Sequence, residues 1–557
     1  MPGKVGLQEP LQRLVTWAWP SLSVLLITAI MATVALSFRN ANGRGDSGKI
    51  ALTGYGGFVT SVCGIVTHIK YDAGRYVCSS GIQQQMRQIG LWYDDDTMRR
   101  IGKTTDQWRT DTNFLDTALD RIFSLTAPPE LGVDPIGWGQ DAGYMDFMQF
   151  AFLLFGHSVQ ALFNGFYLLL TISVGLFCVQ FRRHHFALFA GLAFAFSLSI
   201  YIRLLPLSRL DWINDSSSFW SFLHLVPSDG LDSVTNPRLL SVLTLIPLFH
   251  ALFLIVYRIR PGLWPIVLFT PQAILTAAAA DFRSLAYASP LALTICCMVF
   301  LLRDLWRRNQ SLREILPRYW AVYIIFVCLG AVAALQAKAA DPRLAAMGGM
   351  RFHTFWEPVY YDLQLHPQWK EKYAAEHDGA TGDEVATVAA KQYAQRHHLP
   401  SWTSELDYER DVRGAYKEFA LKDPWYVVQL KYYNALAVIH YVVTVVAMAW
   451  ASLNWPLLIL AGLVAGALAV QIRRTQESLR ALIAYTAALG LSAIVIAIPV
   501  WATVVEHQIF TDFTLCFVAF TFTAALVMLA GGLVFLSELL PGVRARSISL
   551  IARRRPL

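Results

Sequence analysis

The hydrophobic positions of this chain fall into long uncharged runs separated by polar segments. A helix that crosses a bilayer core of about 30 Å needs roughly 20 consecutive apolar residues. About eleven runs approach that length, at 14–37, 157–181, 184–204, 239–257, 263–280, 286–302, 319–338, 432–453, 456–472, 481–503 and 510–537. The pattern therefore predicts an all-α polytopic membrane protein with a bundle of about 10–11 transmembrane helices.

Composition supports a membrane protein and excludes two other classes. The chain is 55% hydrophobic and 15% charged, whereas soluble proteins carry about 25% charged residues. Its 33 Phe, 22 Tyr and 17 Trp supply more apolar surface than a disordered chain holds. The net charge of +7 comes from basic clusters beside the apolar runs, so it indicates membrane orientation and predicts no nucleic-acid partner.

Basic residues also predict the orientation, because Lys and Arg near span ends stay on the cytoplasmic side. Arg182, Arg258 and Arg318 all fall on one side of an alternating count, which also holds the N-terminus. We expect a bacterial inner-membrane protein with an active site on the periplasmic side. Strict alternation puts Arg473 and the basic tail outside, a conflict that disappears if one apolar segment within 432–472 does not cross.

This topology divides the chain into five regions. The first run is longer than the 7–15 apolar residues of a signal peptide, so we expect an uncleaved span. The regions are 1–37, the cytoplasmic N-terminus and first span; 38–156, a first extracytoplasmic loop; 157–338, spans two to seven; 339–431, a second extracytoplasmic segment; and 432–557, the C-terminal spans and basic tail.

Two cysteines stand apart from the other five, because only Cys63 and Cys78 lie in a polar loop. The periplasm is oxidising, so the pair predicts a disulfide. A metal site involving nearby His68 is the alternative, but the paired C-x-x-C spacing of zinc sites is missing there.

The end of the first outer loop carries the most informative stretch. Residues 133–147 read VDPIGWGQDAGYMDF, and 155–158 read FGHS just before the second span. This stretch resembles the GT-C class of membrane glycosyltransferases, and the organisation of residues 14–440 resembles the seven-span module of that class. The resemblance implies transfer of a sugar from a polyprenyl-phosphate donor, with an acid in the first outer loop and a tyrosine-bearing amphipathic helix, here with Tyr144.

The chemistry of such a transfer explains why an acid is expected in this loop. Moving a sugar from a phosphate to a hydroxyl needs a base that takes the acceptor proton. Asp141, between Gly139 and Gly143, is the first choice, because glycines permit close approach of a ligand. Capping of the following helix is the other interpretation of Asp141.

Other acids compete for the role of the base. Asp46 closely follows the first span and is the second choice for the catalytic acid. Asp134, Asp146 and the run 94–96 remain rivals. The triple Asp also suits a magnesium or manganese ion, so a divalent metal stays open although no cofactor is indicated.

Substrate-binding residues are expected in the second outer segment and at two outer span ends. An arginine, an imidazole, an acid and a tryptophan suit a site that holds both a phosphate and a sugar ring. The predicted set is Arg351, His353, Trp356, Glu357, Arg203 and Arg283. We expect a cavity open to lipid, with Asp141 facing Arg351 or His353. A membrane-interface belt explains the same residues without a ligand.

The predicted partners are a polyprenyl-phosphate-linked sugar, a lipid, glycan or protein acceptor, and membrane lipids. No nucleotide-binding loop of the G-x-x-x-x-G-K type occurs, which disfavours an ATP-driven pump. A secondary transporter or lipid flippase is the alternative function. Such proteins place ionisable groups within their spans and show internal repeats, whereas here only His250 and His440 stand out. An assembly factor without chemistry is the third hypothesis.

Overall fold

The computed structural model describes residues 55–89, 112–127, 132–135, 142–182, 243–282, 288–308, 316–346, 356–380, 384–402 and 405–451, with a few isolated residues besides. This part of the chain is mostly helical, as predicted. Its helices are α1 Tyr55–Tyr71, α2 Ser80–Gln88, α3 Thr112–Ser124, α4 Ala142–Phe155, α5 Val159–Gln180, α6 Leu245–Val256, α7 Leu263–Phe282, α8 Ala288–Arg308, α9 Trp320–Ala339, α10 Arg343–Ala346, α11 Trp356–Tyr361, α12 Trp369–Lys372, α13 Glu384–Arg396, α14 Glu405–Lys422 and α15 Pro424–Ala451. The strands are β1 Val77–Ser79 and β2 Val133–Pro135.

By length and composition, three helices of the described part are able to cross a membrane. They are Gln160–Gln180, Leu263–Ala280 and Leu316–Ala339, and they coincide with the predicted runs 157–181, 263–280 and 319–338. Helices α8 and α15 overlap two more predicted runs, and α6 covers 12 residues of another. The runs at 14–37, 184–204, 456–472, 481–503 and 510–537 lie almost wholly outside the described residues.

A polar network inside the apolar bundle joins α5, α6 and α7. Gln272 donates its amide N–H to the carbonyl of Ser173 at 2.7 Å, which fixes the orientation of the amide. The same amide nitrogen lies 3.3 Å from Nδ1 of His250, which therefore accepts, and the Ser173 hydroxyl donates to the Gln272 oxygen at 2.6 Å. All three residues are buried. This network replaces water as the partner of polar groups between apolar helices, and His250 is hydrogen-bonded as expected.

Helices α1 and α2 and the two strands form a small unit closed by the predicted disulfide, which we call the disulfide unit. Cys63 in α1 is bonded to Cys78 in β1, with their Cα atoms 5.3 Å apart, which confirms the pairing. Strand β1 pairs antiparallel with β2, with Cys78 opposite Asp134. Thr67 accepts the backbone N–H of Ser79 at 2.9 Å. The disulfide and this bond fix β1 against the buried face of α1, an apolar helix that the loop prediction did not contain.

A backbone junction attaches this unit to the C-terminal end of α9. The backbone N–H of Arg75 donates to the carbonyl of Ala339 at 2.9 Å, and the N–H of Asp341 donates back to the carbonyl of Arg75 at 3.0 Å. The Asp341 carboxylate accepts the N–H of Gly74 at 2.9 Å and also binds the Arg343 guanidinium at 2.8 Å. Arg343 and the Gly74 N–H hold the pKa of Asp341 low, at about 2.

The described residues between 356 and 430 form a helical unit with an aromatic core of its own. Helices α11, α13 and α14 and the start of α15 surround buried rings that include Tyr360, Trp369 and Tyr426. His377 lies among them, donating from Nδ1 to the carbonyl of Tyr373 at 2.8 Å, so its Nε2 accepts from the Tyr360 hydroxyl at 2.9 Å. These contacts show that the aromatic residues here build a core.

We expect Gly74→Ala to destabilise the junction. A Cβ at this position would lie 2.3 Å from the Cα of Asp341, a backbone atom that cannot move alone. Overpacking of this kind costs about 1–3 kcal/mol, which should lower the thermal unfolding midpoint of the purified protein. The matched control is Gly175→Ala in α5, where a Cβ meets nothing within 4 Å and the change should be neutral or slightly stabilising. Equal midpoints for the two variants would contradict the close approach.

Candidate functional site

A cavity of about 800 Å³ lies where the disulfide unit meets the apolar bundle. Helices α4, α5, α7 and α9 form its walls, and the last turn of α1 with the segment that leads to β1 forms one end. That end is polar, with His68, Arg75, Tyr76 and Asp146, and we refer to these four residues as the polar head. Most of the remaining lining is apolar. The cavity therefore suits an amphipathic ligand with one polar end.

Asp146 is the centre of the polar head. It projects from α4, and its carboxylate accepts Nη1 of Arg75 at 2.6 Å and the hydroxyl of Tyr76 at 2.8 Å. Burial raises the pKa of Asp146 above its ordinary value, although the Tyr76 hydrogen bond and the Arg75 charge act in the opposite direction. Burial disfavours the charged form of a carboxylate, so the Arg75 pairing does not fully offset the loss of water.

Arg75 keeps part of its binding capacity for another group. A guanidinium has five N–H donors in a planar fork, and Asp146 binds Nη1. The side chain of Arg75 is 34% exposed, in contact with the cavity. An anion entering the polar head therefore meets a cation that is already oriented by Asp146.

His68 is also oriented by a hydrogen bond. Its Nδ1 lies 2.5 Å from the carbonyl oxygen of Ala73, five residues along the chain. A carbonyl oxygen only accepts, so Nδ1 carries a hydrogen, and a neutral ring then has its lone pair on Nε2. The ring is half-buried and borders the cavity. His68 therefore presents an atom able to bind or release a proton.

The disulfide-closed loop carries three of the four head residues. His68, Arg75 and Tyr76 all lie between Cys63 and Cys78. Tyr76 has φ 69°, a left-handed conformation that costs about 1–2 kcal/mol for a non-glycine residue, and it is nevertheless buried with its hydroxyl on Asp146. The disulfide and the junction at Asp341 hold this segment from both sides, which allows the strained conformation to persist.

The apolar body of the cavity is open along one side. Ile172, Ile274 and Leu335, from three different helices, line it and are 47%, 50% and 66% exposed. Large exposed apolar side chains in a contiguous patch indicate a surface that something apolar covers. A hydrocarbon chain is able to reach the cavity from this side.

Six of the predicted site residues lie outside the described part of the chain: Asp46, Asp141, Arg203, Arg283, Arg351 and His353. The expected cavity, with Asp141 on one wall and Arg351 or His353 on the other, therefore stays a prediction. Asp141 directly precedes the first residue of α4 in the sequence, five residues before Asp146.

Three predicted binding residues are described, and none of them borders this cavity. Tyr144 is fully buried and stacks on Phe147 with ring centroids 6.5 Å apart. Glu357 accepts the Tyr408 hydroxyl at 3.1 Å, and the backbone N–H of Trp356 donates to Glu409 at 3.1 Å. The last two residues thus connect α11 to α14 within the helical unit.

The polar head was largely missed by sequence reasoning. The sequence presents Asp146 only as a rival acid and His68 only as a metal ligand, and it does not single out Arg75 or Tyr76. The one signal in the sequence is the enclosure of His68, Arg75 and Tyr76 by the cysteine pair. As for metals, no group of three or more His, Cys, Asp or Glu side chains within the described ranges is placed to hold an ion, and the run 94–96 lies outside those ranges.

We expect Asp146→Asn to be at least as stable as the native protein at pH 8. A folded-state pKa above the ordinary value means that ionisation of the carboxyl group lowers the stability of the folded protein. This cost grows as the pH rises from the unfolded-state pKa of about 3.9 through the folded-state pKa. Asparagine carries no charge to desolvate. The difference in unfolding midpoint between variant and native protein should therefore shrink as pH falls toward 4.

The control for this measurement is Asp378→Asn. Asp378 is exposed, and its left-handed φ of 54° also suits asparagine, so this variant makes the same replacement of a carboxylate by an amide away from the cavity. An Asp146→Asn variant that melts below the native protein at pH 8 would show that pairing with Arg75 outweighs burial.

Comparisons with known proteins assign no relatives to this arrangement. No family model, no curated protein and no solved structure matches the chain. What the cavity is able to do follows from its own residues.

Proposed function

We propose that the chain is a polytopic membrane glycosyltransferase that moves a sugar from a polyprenyl-phosphate donor to an acceptor at the outer face of a bacterial inner membrane, with inversion. The observation that carries the proposal is the amphipathic cavity: an open apolar body of membrane-length helices ends in the polar head of His68, Arg75, Tyr76 and Asp146. A lipid-linked phosphate sugar has the same division into hydrocarbon and charged parts.

The position of the head along the helices supports an outer site. Arg182 follows α5, Arg258 and Arg260 precede α7, and Arg318 precedes α9. These basic residues favour one side, the cytoplasm, for those helix ends. The head lies near Ala339 at the other end of α9, about 30 Å away for a 20-residue helix.

The charges of the head suit a phosphodiester. Arg75 is able to bind the phosphate through donors that Asp146 does not use, because a guanidinium forms paired hydrogen bonds with phosphate oxygens. The hydrocarbon chain of the donor would cover Ile172, Ile274 and Leu335, each exposed at present. The sugar would then lie beyond the head, on the outer side, where an acceptor has access.

For the base that takes the acceptor proton, Asp141 remains our proposal, with Asp46 second. Support for Asp141 comes from its place in the sequence directly before α4, the helix that brings Asp146 into the polar head. Asp146 itself is engaged by two donors, which makes it better suited to orient Arg75 than to accept a proton from a substrate.

The test is sugar transfer by the full chain in lipid vesicles, with a radiolabelled polyprenyl-phosphate sugar as donor. We expect Asp141→Asn to lower turnover by about 10²–10⁴-fold, the usual contribution of a general base, with little change in donor KM. Arg75→Gln should instead raise the donor KM, because it removes a phosphate contact. Asp378→Asn, far along the chain on an exposed turn, serves as the matched control and should keep native rates.

Three outcomes would count against parts of this proposal. Normal turnover by Asp141→Asn with an inactive Asp46→Asn would move the base next to the first span. Unchanged donor KM in Arg75→Gln would separate the polar head from phosphate binding. No transfer with any lipid-phosphate sugar, together with movement of labelled polyprenyl phosphate between leaflets, would favour a flippase, for which the polar network around Gln272 inside the bundle is the supporting observation.

A further inference from the structure

The His68 ring is positioned to transfer a proton, and the proposed function has so far given it no role. The hydrogen bond from Nδ1 to the Ala73 carbonyl at 2.5 Å holds the ring and leaves Nε2 as the atom that gains or loses a proton. The ring borders the cavity at its polar end, beside the position expected for a phosphate. Within the described residues, Nε2 has no hydrogen-bond partner in the structure.

Charged groups surround the ring at the polar end of the cavity. Asp146 on α4 faces it across the head, and a positive charge on His68 lowers the pKa of Asp146, so the two charges attract each other. Arg75 opposes the proton, but its charge is paired with the same carboxylate. Tyr76 is the fourth residue of the polar head, and Lys70 and Asp72 lie with His68 in the loop that the disulfide closes.

Resting on the proposed function, we propose that His68 donates a proton to the departing lipid phosphate. The acceptor hydroxyl loses its proton to the carboxylate base, and its oxygen bonds to the anomeric carbon. The bond from that carbon to the phosphate oxygen breaks, and its electron pair stays on the phosphate. The proton on Nε2 of His68 moves to the phosphate, which leaves a neutral imidazole and a singly charged lipid phosphate.

Two physical reasons favour this step. The donor phosphodiester carries one negative charge, and cleavage without an acid would produce a second one beside Asp146, at low dielectric, where repulsion between like charges is strong. The second ionisation of a phosphate monoester has a pKa of about 6, so the departing phosphate is basic enough to take a proton near neutral pH. A side chain positioned beside the phosphate is able to supply that proton in the transition state. Solvent then carries the proton from the base back to His68.

The experiment compares two substitutions that divide the functions of the ring. His68→Asn keeps an amide N–H near the position of Nδ1, able to bind the Ala73 carbonyl, but has no group at Nε2. His68→Gln places an amide near Nε2 and has no acid. Transfer from the radiolabelled polyprenyl-phosphate sugar is measured from pH 5.5 to 9, and unfolding midpoints with and without polyprenyl phosphate report folding and lipid binding. His397→Gln, on an exposed ion pair with Glu418, is the control.

We expect both His68 variants to lose about 10²-fold or more in kcat at the pH optimum, while His68→Asn keeps the native midpoint and its shift with polyprenyl phosphate. The fall of native kcat at high pH, where the imidazolium loses its proton, should vanish in both. Native kcat or an unchanged high-pH limb in His68→Asn would overturn the role of His68 alone. Absence of transfer by the native chain would overturn the proposed function and this role with it.

Discussion

The close contact between Gly74 and Asp341 is the constraint on which the site depends. It joins the disulfide unit to the end of α9 through a short backbone pairing, and the missing Cβ of Gly74 lets the two segments approach. Asp341 stabilises this contact because it is buried yet satisfied, by the Gly74 N–H and by Arg343. The junction, together with the bonds of Arg75 and Tyr76 to Asp146, holds these two residues at the polar end of the bundle cavity.

The disulfide acts on the same segment from the other side. A loop of this length stabilises a fold by about 3 kcal/mol in the chain-entropy model, but here its position matters more than its total effect. The closed loop contains a left-handed Tyr76 and the His68 ring, both of which need a rigid backbone to reach the cavity. An oxidising compartment is therefore a condition for the site as well as for stability.

The helices were predictable from the sequence and the polar head was not. Runs of apolar residues predict helices wherever length and hydropathy decide the structure, as at 263–280, and the cysteine pair followed from its isolation in a polar loop. Arg75 and Asp146 are 71 positions apart, and no periodic pattern connects residues at that distance. The stretch around Trp356 and Glu357 has two interpretations for a related reason. Aromatic and acidic residues suit a sugar site, but they also suit a small helical core, and local composition does not separate the two.

The energetics of Asp146 argue for function over structure at this position. Burial of a carboxylate beside a single arginine costs more than the pairing returns, which the raised pKa of Asp146 expresses. An apolar side chain at this position of α4 would be buried at a lower free-energy cost, as Phe147 and Met148 are beside it. A charged cluster at the end of an otherwise apolar cavity matches the lipid phosphate that we propose as ligand, because electrostatic interactions are strongest where water is excluded.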